Sequence, residues 1–351
     1  SSGRVLYDKA KDKELIPASI TKIMTLLLIF DALHEGKLQL DDPVSVSEYA
    51  ASMGGSQVFL EPGETQTVDT MIKCISVASA NDAAVAMAEK IAGSEPAFVK
   101  CMNQKANELG MKHTHFKNCN GLDDSIESGH YSSAYDVALM SRALVTDYPQ
   151  ISNYSTIWMD EIVHSTKKGD SHFGLTNTNK LVRTYDGITG LKTGSTSKAK
   201  YCLSATATRA GVSLTAVVMA APDPKIRFSQ AAALLDYGFA NCTGYTDPAS
   251  KLTLKKIPVL KGTKSAVRAA ADGDFQYTLC KGESVKQIQR TIAYKKDLTA
   301  PIQKGDPIGR ITYRMNAQIL KEIPIRASES IPKAGFSHCF YQLLQRLLLS
   351  V

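Results

Sequence analysis

The sequence of 351 residues lacks several features that define particular protein classes. It contains no run of roughly eighteen apolar residues, which excludes an ordinary membrane-spanning helix. Its seven cysteines include no CxxC pair, and a zinc cluster needs closely spaced ligand pairs, so we predict no metal site. No nucleic-acid-binding motif occurs, and nucleic acid is not a predicted partner. No leader peptide opens the sequence; we take it as a mature or trimmed form, so this absence says little about the compartment.

Length and charge predict two domains with different surroundings. A chain of 351 residues exceeds one typical hydrophobic core. Residues 1–240 contain 23 basic and 26 acidic side chains, a net charge of −3. Residues 241–351 contain 18 basic and 8 acidic side chains, a net charge of +10. We therefore expect the C-terminal third to face an anionic surface, such as phospholipid headgroups or a cell-wall polymer.

Helical and strand patterns alternate in the first 241 residues. A run without Gly or Pro predicts a mostly buried helix over Ser19–Glu35. A second helical region, Asp69–Ala92, is interrupted by the turn-forming sequence Ser-Ala-Asn-Asp. Stretches rich in Val, Thr, Leu and Ala predict two adjacent antiparallel strands, Lys200–Thr208 and Val212–Ala220. Three further helices are predicted over Glu95–Leu109, Ser133–Thr146 and Arg227–Phe239.

The last third of the chain has a different pattern. In residues 242–330, short segments such as Lys251–Val259 alternate with Gly, Pro and Asp turns, which predicts a small antiparallel β domain. In Ile331–Val351, apolar residues recur at helical spacing, which fits an amphipathic helix lying in one membrane leaflet. A helix docked on its own domain or on a partner is the alternative. The apolar face comprises Phe336, Phe340, Leu343, Leu344, Leu347, Leu348 and Val351, and the polar face comprises Lys333, His338, Gln342, Gln345 and Arg346.

Three short motifs occur in one order along the chain: Ser19-Ile20-Thr21-Lys22, Ser79-Ala80-Asn81 and Lys192-Thr193-Gly194. Ser-x-x-Lys occurs five times and is uninformative alone, but only the copy at Ser19 precedes the other two motifs, which occur once each. Taken singly, such residues are more often a helix cap, a surface lysine, loop polar groups and the start of a strand. Their ordered combination predicts a serine acyltransferase site of the kind found in penicillin-binding proteins and class A β-lactamases.

Each motif supplies a group that this chemistry needs. A serine hydroxyl is a weak nucleophile until a base takes its proton, and Lys22 lies on the same helix face as Ser19. Lysine has an ordinary pKa of about 10.4, so Lys22 must be desolvated or lie near another cation such as Lys192. Ser79 can relay a proton towards the leaving nitrogen, and the Asn81 amide can bind the substrate backbone and Lys22.

The third motif and the start of the helix supply the groups that hold the substrate. Lys192 and Thr193 can bind a substrate carboxylate, and Gly194 allows the substrate backbone to lie along a strand edge. The backbone N–H of Ser19, at a helix N-terminus, can donate to the oxyanion formed on attack. No cofactor is needed for these steps.

These residues resemble the D-alanyl-D-alanine carboxypeptidases, low-molecular-mass penicillin-binding proteins of the serine type. Leu15–Thr25 is similar to the nucleophile segment of that family, and the resemblance is strong over residues 4–240. It implies an α/β peptidase domain over residues 1–241, with a mixed, mainly antiparallel sheet flanked by helices. A small all-β domain over residues 242–330 and a membrane-surface helix over residues 331–351 are implied by layout. Further similar blocks are Asn120–Asp124, His130–Asp136, Asn177–Leu181 and Asp186–Thr196.

The resemblance also implies a reaction and a location. Ser19 attacks the carbonyl between the two terminal D-alanines of a peptidoglycan stem peptide, and water then cleaves the acyl-enzyme; β-lactam antibiotics inhibit by acylating the same serine. Ser195 supplies a second oxyanion N–H and Arg227 helps to hold the terminal carboxylate, although a solvated arginine at a helix start is the alternative. His130 is structural. The enzyme is expected outside the cytoplasm, at the outer face of the bacterial cytoplasmic membrane.

The sequence differs from class A β-lactamases in two respects. The second motif is Ser-Ala-Asn where class A β-lactamases have Ser-Asp-Asn, and no segment resembles the one that carries their deacylating glutamate. Both favour the carboxypeptidase over a lactam hydrolase. The alternatives are a β-lactamase, a D,D-endopeptidase that cuts crosslinks, and a catalytically silent cell-wall-binding protein, against which the intact Ser19 and Lys22 argue.

Overall fold

The computed structural model describes residues 3–124, 126–166 and 169–348. The chain divides into two compact units, Ser1–Asn241 and Cys242–Val351. Within the described ranges, no helix is both long enough and apolar enough to cross a bilayer. The helices of the first unit are α1 (Lys22–His34), α2 (Glu48–Ala51), α3 (Val68–Lys73), α4 (Asn81–Ala92), α5 (Glu95–Glu108), α6 (Ala134–Asp147), α7 (Ser152–Ser155), α8 (Leu181–Thr184) and α9 (Pro224–Asn241).

The strands of the first unit are β1 (Pro43–Ser45), β2 (Thr65–Thr67), β3 (Met159–Thr166), β4 (Gly169–Thr176), β5 (Ile188–Thr196), β6 (Lys200–Arg209) and β7 (Val212–Ala221). Within the described residues they form the antiparallel sheets β1–β2, β3–β4 and β5–β6–β7.

The three-stranded sheet is covered on both faces, which explains why six consecutive residues of β6, 202–207, are buried. Cys202 packs with the core around α1 and α4, whereas its neighbour Leu203 packs with Leu235 of α9. Arg209 of β6 lies opposite Val212 of β7, so the predicted pair of antiparallel strands is confirmed. An antiparallel sheet flanked by helices is the class of fold that the resemblance implied.

Helix α1 begins differently from the prediction. Residues Ala18–Thr21 form a 3₁₀ turn, hereafter the Ser19 turn, and α-helical geometry begins only at Lys22. Side chains three residues apart are eclipsed in a 3₁₀ turn, so Ser19 and Lys22 project in the same direction. The helix ends at the glycine after its cap: Gly36 and Lys37 donate to carbonyls of the last turn, as in a Schellman motif.

The predicted interruption of the second helical region is confirmed. Helix α3 continues into a π-helical turn, Cys74–Ala78, and α4 starts at Asn81. Between them, Ser79 adopts a left-handed backbone with a φ of 63°. This conformation is uncommon for a residue other than glycine and is typical of positions that the surrounding structure must hold for a function.

The second unit is a β structure with its own apolar core, as predicted. Its strands are β8 (Cys242–Asp247), β9 (Ile257–Leu260), β10 (Ala266–Val267), β11 (Ala269–Ala271), β12 (Phe275–Cys280), β13 (Ile288–Tyr294), β14 (Leu298–Thr299), β15 (Pro307–Met315) and β16 (Gln318–Ala327). They form the sheets β10–β9–β14, β11–β16–β15–β13 and β12–β8, and β14 runs parallel to β9, whereas the prediction was antiparallel. The predicted strand Lys251–Val259 is mostly wrong: only its end is a strand, and the N–H of Lys255 donates to the Tyr294 hydroxyl instead of to a neighbouring strand.

The C-terminal helix, α10, spans Phe336–Leu348 and so begins five residues after the predicted start at Ile331. Ile331 is instead buried in the core of the β unit, where it forms a bridge with Ile302. Lys333, predicted on the polar face, also precedes the helix and bridges to Gly262. Pro332 and Gly335 explain the delay, because both disfavour a helix interior. Val351 lies outside the described residues.

Candidate active site

The Ser19 turn and the start of α1 bring the first predicted pair together. The Lys22 Nζ atom donates to the Ser19 hydroxyl oxygen at 3.0 Å. It also donates to the Asn81 side-chain carbonyl at 2.5 Å and to the backbone carbonyl of Asn120 at 2.7 Å. Three oxygens therefore surround the amine, and one of them is the predicted nucleophile.

Lys22 is fully buried, and this burial sets its acidity. Desolvation disfavours the ammonium form and lowers the pKa of Lys22 to about 7, against smaller opposing effects of Cys119 and Asp82. An amine with this pKa is neutral in a large fraction of molecules near neutral pH. Lys22 can therefore accept the proton of Ser19, which an exposed lysine could not.

The start of α4 supplies one of the three oxygens around Lys22. The Asn81 amide nitrogen donates to the carbonyl of Gly54 at 2.7 Å, while its oxygen accepts from Lys22. The next residue, Asp82, is buried and accepts from the backbone N–H groups of Val58 and Leu60, both at 3.1 Å. Together these bonds attach the loop before β2 to the start of α4, where Asn81 orients the lysine.

Ser79 precedes Asn81 by two residues and is 3% exposed. Within the described part of the chain, its hydroxyl has no hydrogen-bond partner. A buried hydroxyl without a partner is costly, and such groups are often completed by a substrate. This state fits the predicted proton relay.

The backbone carbonyl of Asn120 can accept from Lys22 because the segment around Gly121 packs closely against the Ser19 turn. Gly121, with a φ of +85°, lies so near the Ser19 turn that an added Cβ would meet the Ala18 carbonyl oxygen at 1.9 Å. Only glycine fits there. Neither Asn120 nor Gly121 had a predicted role, although the Asn-Gly pair is a turn signal and belongs to one of the blocks that resemble the family.

Strand β5 lies at the edge of its sheet and packs against the Ser19 turn. An added Cβ on Gly194 would lie 2.8 Å from the Pro17 carbonyl oxygen and 3.1 Å from the Ser19 nitrogen, so a side chain there would displace the nucleophile. The Thr193 hydroxyl donates to that of Thr178 at 2.7 Å, and Thr178 is a contact that the sequence did not predict. Ser195 follows as an exposed residue.

Lys192 is as deeply buried as Lys22, and its Nζ donates to the Thr193 carbonyl at 3.1 Å. Desolvation is the main cause that lowers the pKa of Lys192 well below its ordinary value, followed by repulsion from Lys22 and Arg227. In the described residues, neither Lys192 nor Arg227 has a carboxylate within salt-bridge distance. Both side chains are buried basic groups without a counter-ion in the described residues, and a bound anion would favour their charged forms.

Arg227 is buried, not a solvated helix-start residue. Its Nη1 donates to the carbonyls of Gly194 at 3.2 Å and Cys202 at 3.3 Å, and its guanidinium lies over the ring of Phe228. In the described part of the chain its Nε has no partner. Arg227 therefore supports the end of β5 and keeps one donor unused.

His130 has the structural position that was expected. Its Nδ1 accepts from the Lys117 N–H at 3.1 Å, which assigns the proton to Nε2, and Nε2 donates to the Thr21 hydroxyl at 2.9 Å. Burial lowers the pKa of His130 to about 4, so the ring is neutral at physiological pH. The ring connects the 117–130 segment to the Ser19 turn.

An α/β domain with a serine hydroxyl beside a buried, deprotonatable lysine defines the class: serine acyl-transferring enzymes with a lysine base. Residues 1–223 match the peptidase S11 family model, described as D-alanyl-D-alanine carboxypeptidase, and residues 248–333 match the C-terminal domain of penicillin-binding protein 5. The chain belongs to the D-alanyl-D-alanine carboxypeptidase family, the serine-type penicillin-binding proteins of low molecular mass. This confirms the family that the motifs indicated.

Individual relatives resemble the chain over nearly its whole length. It is 44% identical over 335 residues to the D-alanyl-D-alanine carboxypeptidase DacF of Bacillus subtilis, covering 95% of this chain and 84% of that protein. It is 32% identical to DacC of Escherichia coli, with 96% and 83% covered. Among solved structures, PBP3 of Streptococcus pneumoniae superposes with a TM-score of 0.74 at 28% identity, covering 94% and 96% of the two chains. Penicillin-binding protein 5 of Haemophilus influenzae gives 0.68 at 30%, covering 95% of each.

Proposed function

We propose that Ser19 is the nucleophile and Lys22 the general base of a D-alanyl-D-alanine carboxypeptidase that trims peptidoglycan stem peptides. The observation that carries this assignment is the 3.0 Å contact between the Lys22 amine and the Ser19 hydroxyl. Burial of Lys22, which lowers its pKa to about 7, supports the role of base. We place the reaction in residues 1–241 and a supporting role in the β-rich residues 242–330.

In the first step, the Ser19 oxygen bonds to the carbonyl carbon between the two D-alanines while its proton passes to Lys22. The tetrahedral intermediate then collapses: the C–N bond breaks, and the leaving nitrogen takes a proton delivered by Lys22 through the Ser79 hydroxyl. Terminal D-alanine departs and an ester remains on Ser19. Attack by water on this ester releases the shortened peptide and restores the serine.

The oxyanion of the intermediate is stabilised by two backbone N–H groups, those of Ser19 and Ser195. The close packing of Gly194 against the Ser19 nitrogen supports this pairing, because it brings the end of β5 beside the nucleophile. The side chain of Ser195 is exposed and takes no part in this role.

The terminal carboxylate of the substrate binds to Lys192, Thr193 and Arg227. Lys192 and Arg227, both buried, gain a counter-ion that the described residues do not provide, and the carboxylate raises the pKa of Lys192 by attraction, which favours its charged form. Asn81 holds the substrate backbone on the opposite side of the cleft, while its own oxygen keeps Lys22 in place.

The assignment is tested with a pentapeptide mimic that ends in D-Ala-D-Ala and with a penicillin. The wild type is expected to release D-alanine and to gain the mass of the penicillin on the tryptic peptide that contains Ser19. Ser19→Ala should do neither, whereas Ser229→Ala, an exposed serine of α9, should match the wild type. Rapid turnover of the penicillin without an adduct would indicate a β-lactamase, and an adduct on another residue would refute the nucleophile.

We also propose that α10 binds an anionic membrane surface and that the enzyme works outside the cytoplasm. Phe336, Phe340 and Leu343 are each more than half exposed, and they lie at positions i, i+4 and i+7 of one helix. An exposed apolar stripe of this kind, following a basic β unit, suits the interface of a leaflet with anionic headgroups.

Vesicle flotation of the full chain tests this surface. We expect binding to phosphatidylglycerol-containing vesicles, weaker binding to phosphatidylcholine vesicles, and loss of binding in a chain that ends at Gly335. Phe340→Glu should weaken binding strongly because it places a charge on the apolar stripe, whereas Gln342→Glu, on the polar face of the sequence pattern, is the matched control. D-alanine release from a soluble peptide should be unchanged in both. Equal flotation of the shortened chain would refute the anchor.

A further inference from the structure

We propose that Cys242 and Cys280 form a disulfide bond that covalently joins β8 to β12. The two residues are direct partners in the register of this antiparallel pair, in the last rung of the ladder. Their sulfur atoms lie 3.5 Å apart, at the distance of a thiol–thiol hydrogen bond. Of the seven cysteines, this is the pair for which the structure records a sulfur–sulfur contact.

The backbone around this pair is suited to a bridge without rearrangement. Directly opposed residues of antiparallel strands have Cα atoms about 4.5 or 5.5 Å apart. Disulfides span Cα separations of about 4.4–6.8 Å, so both kinds of rung lie within that range. The sulfur atoms need only approach to about 2.05 Å, which rotation about the Cα–Cβ bonds can provide.

The two thiols differ in their exposure to solvent, and this difference determines which of them reacts first with an external oxidant. Cys280 is partly exposed, whereas Cys242 is 7% exposed. The Cys280 thiolate attacks a small external disulfide, forms a mixed disulfide and releases one thiolate. The Cys242 thiolate then attacks the Cys280 sulfur and releases the second. The protein loses two protons and two electrons, and the oxidant, a low-molecular-mass disulfide, is reduced to two thiols.

The remaining cysteines provide internal references for this chemistry. Cys101 and Cys339 are exposed thiols. Cys119 is buried; its backbone N–H donates to the Glu95 carboxylate, and its backbone carbonyl accepts from the Thr25 hydroxyl. Oxidising surroundings outside the cytoplasm, where we place the enzyme, are those in which structural disulfides persist. The bridge would close a loop between positions 38 residues apart and so restrict the unfolded state of the second unit.

Peptide mapping after oxidation tests the proposal. The full chain carrying Cys101→Ser and Cys339→Ser is incubated in its folded state with oxidised glutathione, denatured, alkylated and digested with trypsin without a reductant. Cleavage after Arg227, Lys251, Arg268 and Lys281 separates the two cysteines into different peptides. We expect these peptides to be recovered as one linked species, two hydrogens lighter than their sum, that separates on reduction. Cys119 should be recovered alkylated.

Cys280→Ser in the same background is the matched variant, and it should leave Cys242 fully alkylated. The proposal is overturned if the wild-type pair is recovered as two alkylated thiols, as two separate glutathione adducts, or linked to other cysteines. These results do not depend on catalysis, since the readout is the mass of the peptides.

Discussion

The two units of this molecule bury different kinds of side chain. The interior of the first unit contains lysine, arginine, aspartate, asparagine and histidine side chains. In the described part of the second unit, the buried residue with a polar side chain is Thr312, apart from tyrosine. Burying a polar group costs free energy unless it is paired, and burying a charge costs more. Buried polar groups of the described residues are therefore concentrated in the unit in which we propose the reaction, and lowered pKa values such as those of Lys22 and Lys192 are typical of functional sites.

The second unit is stabilised mainly by apolar side chains in its interior. Its core consists of Ile, Val, Phe and Tyr side chains around β15 and β16, and its charges lie at the surface. An aspartate, Asp247, accepts from the Tyr313 hydroxyl at 2.8 Å and from Arg290 at 2.7 Å, so this partly buried carboxylate is paired. This arrangement stabilises a fold without preparing a reactive group. The predictions below test whether chemistry and stability are divided between the units in this way.

The largest effect is expected from Lys22→Ala. Without the amine, Ser19 loses its base, and the rate of acylation by a penicillin should fall by roughly 10³–10⁴-fold. Stopped-flow or mass-spectrometric measurement of adduct formation gives this rate. Lys90→Ala, which removes an exposed lysine from α4 in the same unit, should leave the rate within about twofold of the wild type. Normal acylation in Lys22→Ala would mean that another group acts as the base.

Gly121→Ala is expected to have the next largest effect. The new Cβ would meet the Ala18 carbonyl at 1.9 Å, so the Ser19 turn or the loop carrying the Asn120 carbonyl must move. A displacement of this kind should lower the rate of acylation by roughly 10²-fold. Gly110→Ala is the control, because Gly110 has a similar φ of +74° but open space around its Cβ position. It should share the backbone strain and retain the rate; equal rates in the two variants would contradict the positional argument.

The surroundings of Lys22 and Gly121 also show which features of the site could be predicted from the sequence and which could not. Ser19, Lys22 and Asn81 were predicted as partners from motif order, and the structure brings them into contact. The 3₁₀ form of the Ser19 turn was not predicted, because it depends on the packing of Gly121 and Gly194 against that turn. Such long-range contacts leave no periodic signal in the chain. The carbonyl of Asn120 was missed for a related reason: a backbone acceptor has no residue type to reveal it.

The pH dependence of acylation in the wild type should show an effect of about tenfold per pH unit below pH 7. Lys22 has a pKa of about 7, so its neutral, proton-accepting fraction rises with pH up to that value and then levels off. The rate constant for acylation by a penicillin, measured from pH 5 to 9, should follow this curve. A flat profile would contradict the assigned pKa.

The same shift determines the effect of Lys22 on stability. Its pKa is lower in the folded protein than the ordinary 10.5, so between about pH 7 and 10.5 the unfolded chain binds the extra proton. The free energy of unfolding of the wild type, relative to Lys22→Met, should therefore rise with pH across that window and be constant below it. Denaturant titrations of both proteins at several pH values measure this difference.

The smallest effect on catalysis is expected from Ile311→Ala in the second unit. Ile311 is fully buried in the middle of β15, and its truncation should destabilise that unit by about 2–5 kcal/mol. Calorimetry should detect a lower Tm for this unit, while D-alanine release from a soluble peptide at 20 °C stays at the wild-type rate. Ile319→Ala, at a position of β16 that is 48% exposed, should change the Tm little and is the matched control. If Ile311→Ala lowered the rate of release below the unfolding temperature of its unit, the second unit would have to shape the active site, and the division of chemistry and stability between the units would be wrong. If the rate is retained, the buried lysines, and not the apolar β core, carry the reaction.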